Sequence, residues 1–128
     1  MDKQDWDAAV KELFEQVLER PAGGFLAEPT MLQRVVLDNA RTLPLDFSNH
    51  NRLTVDCDFI GKIPVPGLLL YGVNTNKPWQ YMSTRFADCL PNGQSIAIPN
   101  ATHDGPISQP QLVADHIHEF ITSTSPIH

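Results

Sequence analysis

The chain has 128 residues, 41% of them hydrophobic, 9 basic and 15 acidic, for a formal net charge of -6. That length suits one compact domain, unusually small for a parallel-sheet enzyme. The acidic balance offers no basic stripe to phosphate backbones or to an anionic bilayer, so neither nucleic acid nor membrane is expected as a partner.

No apolar run approaches the roughly 20 residues a membrane span requires. The start, MDKQDWDAAVKELF, is acidic and amphipathic and lacks the pattern of an export signal, so a cytoplasmic protein is expected. In DWDAAVKELFEQVLER, Trp6, Val10, Leu13, Phe14, Val17 and Leu18 recur at intervals of three and four, predicting an amphipathic helix that ends in RPAGGFLAEP. A second helix is predicted in TMLQRVVLDNARTL, with Thr30 as N-cap and Met31, Leu32, Val35, Val36 and Leu37 on its apolar side, stopping before Pro44.

Residues 44–62 mix turn formers with short apolar pieces and read as a long connection with one helical turn. The pattern then changes. IPVPGLLLYGV is a continuous apolar run bounded by prolines and Gly72, the mark of a parallel strand buried on both faces. NKPWQYMSTRFADCLPNG places Trp79, Met82, Phe86 and Leu90 at helical spacing; QSIAIP is a second short strand; and SQPQLVADHIHEFITS is a terminal helix with Leu112, Val113, Ile117, Phe120 and Ile121 facing inward.

The expected organisation is therefore a helical segment over 1–50 and a β-α-β-α unit over 51–128. Two parallel strands leave an open edge beside GLLLYG, which the N-terminal helices, another chain or a further part of the protein would have to cover. Cys57 and Cys89 show no C-x-x-C spacing, so free thiols are expected and no zinc site. His116 and His118 stand two apart on a helix and diverge by about 200°, which prevents them from sharing a metal ion. No metal and no other cofactor is expected.

The stretch IPVPGLLLYGVNTNKPW…FADCLPNGQSIAIPNATHDGPISQPQLVADHIHEFI, residues 63–121, resembles the C-terminal end of an α/β-hydrolase, and residues 5–50 are similar to the helical cap that precedes these strands in many members. The fold class this implies is α/β: a partial α/β-hydrolase-like unit of two short parallel strands with a crossover and C-terminal helices, preceded by a helical cap segment. By the same resemblance His103, in PNATHDGP, holds the place of the triad histidine, a general base that takes a proton from a serine and returns it to the leaving group.

The nucleophile elbow G-x-S-x-G is missing. Glycines stand only at 23, 24, 61, 67, 72, 93 and 105, and no two are four apart. The family's order is serine, acid, histidine, so the chain reads as the part that follows the serine, without the oxyanion hole. The acid expected shortly after the strand-end glycine is replaced by Thr75, flanked by Asn74 and Asn76; Asn74 and Thr75 could orient an imidazole but supply no charge. An acid from an earlier position would be Asp38, Asp46, Asp56 or Asp58, with Asp46 taken as the candidate. Asp104 is expected to serve a turn or cap, since adjacent side chains in an extended loop point apart. His50 and His128 carry no pattern.

Two functions follow from this reading. One is a serine-hydrolase portion acting on a small ester or amide-like molecule once completed by a nucleophile-bearing half. The other is a noncatalytic module that binds a partner chain, or itself, at the open strand edge.

Overall fold

A computed structural model describes residues 3–49 and 55–124. The chain divides into two compact units, Met1–Leu53 and Thr54–His128.

The first unit is helical. Helix α1 (Lys3–Val17) buries Val10, and Leu18 is buried just beyond its end. Glu19 in a left-handed conformation (φ 55°) and Pro21 then turn the chain. A short 3-10 turn at Gly24–Ala27 inserts Phe25, whose ring meets Phe14 edge-on with centroids 5.3 Å apart. The turn is tied back to α1 by the Glu15 carboxylate, which accepts from the Gly23 and Phe25 N–H groups at 3.1 and 2.9 Å. Arg20 and Glu28 pair across the same bend at 2.8 Å.

Helix α2 (Thr30–Asn39) corrects one expectation. Pro29 occupies the N-cap position, no side-chain cap bond forms, and Thr30 is already helical. The prolyl ring fixes φ at the helix entry and so replaces a side-chain cap as the start signal. None of the residues of α2 is buried, and Met31 is 80% exposed although the spacing places it on the apolar side. The helix ends at Asn39, before Pro44 as expected, but helical structure resumes. After a 3-10 turn at Ala40–Thr42, helix α3 (Leu43–Ser48) takes Pro44 into its first turn, where the missing N–H costs no internal bond.

In the second unit, α4 (Cys57–Ile60) is capped by Asp56, whose Oδ1 accepts from the Phe59 N–H at 2.9 Å. Among the described residues, 44–62 thus hold two short helical pieces where one turn was expected. Strand β1 (Gly67–Gly72), helix α5 (Lys77–Cys89) and strand β2 (Gly93–Ile98) follow, then the short α6 (Gly105–Ser108) and α7 (Pro110–Thr124). The strands pair in parallel from Gly67 opposite Gly93 to Gly72 opposite Ile98. Ile98, Ala101 and Val113 form the core, with Leu70, Ile96 and Leu112 packed on it.

Two burial expectations fail for one reason. The apolar side chains of β1 are half-buried rather than buried on both faces, and on α7 Ile117 and Ile121 are exposed, Ile121 by 56%. A two-stranded sheet has too little surface to cover them.

The free-thiol expectation is also overturned. Cys57 and Cys89, 32 positions apart with Cα atoms separated by 5.1 Å, form a disulfide that fastens α4 to the end of α5. Closing a loop of that length restricts the unfolded chain by about 3–4 kcal/mol. Reduction, or Cys89→Ser, is therefore expected to lower the stability of this unit by that order, measurable as a reductant-dependent fall in the midpoint of denaturant unfolding.

No helix among the described residues is long and apolar enough to cross a membrane.

Candidate active site

The site is built where both strands end. Beyond Gly72 the chain bends against the loop that follows β2: the Val73 N–H donates to the Ile98 carbonyl and the Asn74 N–H to the Ala101 carbonyl, both at 2.9 Å. Asn100 turns that second loop in a left-handed conformation (φ 56°), which asparagine tolerates better than most residues. Gln80, one turn into α5, donates its side-chain amide to the carbonyls of Val73 and Thr75 at 2.8 and 2.7 Å. The segment 73–75 is held from both sides.

Asp104 fixes the loop bearing His103. It is 5% exposed, and its Oδ1 accepts from the Thr102 N–H (3.1 Å), the Thr102 hydroxyl (3.0 Å) and the Ser108 hydroxyl (3.1 Å). Its carbonyl also accepts from the N–H groups of Ile107 and Ser108, starting α6. Asp104 thus has the turn role expected of it. Removing its carboxylate leaves three part-buried donors of Thr102 and Ser108 without this acceptor and a buried site without its polar anchor, each loss at about 1–3 kcal/mol at most. Asp104→Ala is expected to destabilise the second unit by about 2–4 kcal/mol in urea titration.

His103 is exposed on this braced loop, its ring tilted against that of Trp79 with centroids 5.2 Å apart. Beside them a cavity of about 300 Å³ is lined by Leu70, Tyr71, Gly72 and Ile98 from the strands, Thr75, Trp79 and Ser83 from the β1–α5 side, Thr102, His103, Gly105 and Pro106 from the β2–α6 side, and Val113 from α7. Thr75 is only 4% exposed, and its hydroxyl has no hydrogen-bond partner among the described residues.

The structure therefore brings His103 and Thr75 to one cavity. Asn74 is exposed on the same loop and is not among the lining residues, and Asp46 is exposed on α3 of the first unit. His116 is half-buried and His118 exposed on α7, and among the described residues no three His, Cys, Asp or Glu side chains cluster as metal ligands. His50 and His128 lie outside the described residues. Sequence reasoning placed Trp79 only in an apolar stripe and did not single out Ser83. Their spacing of four, which puts both on one face of α5, is the signal that could have found them.

The fold and the position of this cavity define the class: the chain is a partial α/β-hydrolase-like unit, two parallel strands with a crossover and C-terminal helices. It is similar to the crystal structure of BpoC from Mycobacterium tuberculosis H37Rv, a protein assigned as a non-heme bromoperoxidase, at 20% identity and a TM-score of 0.56. The likeness covers 98% of this chain and 55% of that one, so the chain spans about half the length of its structural neighbour. At that identity the likeness defines the fold and not the chemistry. No family model matches the sequence, and no curated protein does.

Proposed function

We propose that this chain forms the histidine-bearing, C-terminal side of a serine-hydrolase site for a small ester or amide-like substrate, and that the nucleophile lies outside residues 1–128. The observation that carries this reading is His103, presented at the rim of a cavity at the C-terminal ends of parallel strands, where open α/β sheets bind their ligands. The 55% share of the neighbouring structure and the missing G-x-S-x-G agree with a site completed by another polypeptide segment.

In this mechanism the His103 imidazole accepts the proton of an incoming serine hydroxyl as the serine attacks the carbonyl, then returns it to the leaving alcohol or amine. Thr75 and Asn74 are the proposed orienting groups. A neutral partner can fix the tautomer and the ring plane but contributes no charge to stabilise imidazolium. Asp104 serves the loop instead.

Residues 1–128 alone should hydrolyse p-nitrophenyl acetate no faster than free imidazole at equal concentration. Saturable turnover abolished by His103→Ala would overturn the assignment of the nucleophile to another segment. A second reading, a noncatalytic module that binds a partner chain or itself, is favoured by one observation: β1 has a single strand neighbour among the described residues while its apolar side chains are only half-buried. A protein that stays monomeric at high concentration in sedimentation and binds no hydrophobic dye would count against it.

A cytoplasmic location belongs to the same proposal. The Cys57–Cys89 bridge weighs against it, because reducing compartments keep most thiols free. Alkylation of the protein at the moment of lysis, read by mass, decides the matter.

A further inference from the structure

The cavity beside His103 also carries information about what enters it. No Asp, Glu, Lys or Arg is among its lining residues, which include the apolar Leu70, Ile98 and Val113. A charged ligand would lose its hydration there and find no counter-charge other than a protonated His103. One face of α5 contributes Trp79 and Ser83 to the lining, four residues apart, a ring and, one turn further on, a hydroxyl. The volume of about 300 Å³ lies at the small end of ligand pockets and suits a single ring with a short substituent.

We infer that this pocket takes an uncharged aromatic ester or amide, with its ring against Trp79 and its carbonyl oxygen accepting a hydrogen bond from the Ser83 hydroxyl. The inference rests on the reading of this pocket as a hydrolase site, since the carbonyl near Ser83 would be the group the incoming serine attacks. Binding itself requires no nucleophile and can be measured on the present chain.

The test is an NMR titration of the isotopically labelled 128-residue protein with methyl benzoate and, separately, with benzoate, which keeps the ring and adds a charge. Saturable shifts centred on the Trp79 indole N–H and on the amides of Ser83 and Gly105 are expected with the ester. With His103 in its neutral form, binding of benzoate should be at least roughly tenfold weaker, the cost of desolvating a carboxylate with no counter-charge. Trp79→Leu should weaken ester binding several-fold, and Ser83→Ala should weaken it while leaving toluene binding unchanged.

No saturation, shifts scattered over both units, or equal affinity for the ester and benzoate would overturn the inference. The two proposals fail separately. If the ester binds as described but the completed protein shows no His103-dependent hydrolysis, the ligand class stands and the hydrolase reading falls. His103-dependent hydrolysis with no preference for the uncharged ring leaves the hydrolase reading standing without this ligand class.

Discussion

Gly72→Ala is expected to destabilise the second unit by about 3–5 kcal/mol and to disorder the loop that carries His103. A Cβ at position 72 would lie inside van der Waals contact of the Thr102 and Ala101 carbonyl oxygens, with the Ala101 carbonyl carbon at 2.6 Å. These are backbone atoms. They cannot rotate away like a side-chain tip, and Ala101 is itself fixed in the core and accepts from the Asn74 N–H. Either the end of β1 or the loop after β2 must move, and the cavity lies between them. Urea unfolding followed by circular dichroism measures the loss; a variant within 1 kcal/mol of the parent would show that the two loops are not packed as described. Gly93→Ala makes a related comparison, because its Cβ would meet the Ala87 carbonyl oxygen and would separate β2 from α5 without touching the cavity.

His103→Ala should have the opposite signature. The side chain is exposed, so its removal should change stability by no more than about 0.5 kcal/mol. In the completed hydrolase, loss of the base that activates serine should lower kcat by about 10⁶-fold, leaving the residual rate that substrate binding and the oxyanion hole supply. His103→Ala and Asp104→Ala therefore separate chemistry from scaffolding at adjacent positions. A His103→Ala enzyme that keeps most of its kcat would remove this residue from the mechanism, whatever its stability.

What could be read from the sequence follows the length of each element. Helices α1, α5 and α7 repeat their apolar positions over several turns, and β1 and β2 are bounded by glycine and proline, so both kinds of element could be placed from pattern alone. Helices α3 and α4 span 6 and 4 residues, too few for a period to appear, and Pro44 read as a stop when it stands in a first turn, where proline is at home. The Cys57–Cys89 bridge joins residues 32 apart whose proximity is made by the chain path through β1 and α5, and no local spacing encodes it.

The candidate site was legible in part for the same reason. His103 stands in a loop whose neighbours, an asparagine in a left-handed turn and a proline at a helix start, are local signals. The wall formed by Trp79 and Ser83 depends on which face of α5 meets the strand ends, a tertiary property. The buried, unpartnered hydroxyl of Thr75 likewise emerges only once both loops are in place. Degree of burial was the least legible feature, because the apolar run of β1 reads the same whether or not further strands cover it.

The central claim is that His103 serves a serine held outside residues 1–128. It is tested most directly by isolating the protein at its native length from the cells that make it, through an antibody to the α7 segment, and treating the isolate with a fluorophosphonate. A single labelled serine is expected on a polypeptide segment beyond these 128 residues, whether linked to them or bound to them, with labelling lost in His103→Ala. Label on a serine within residues 1–128, or labelling indifferent to His103→Ala, would contradict it.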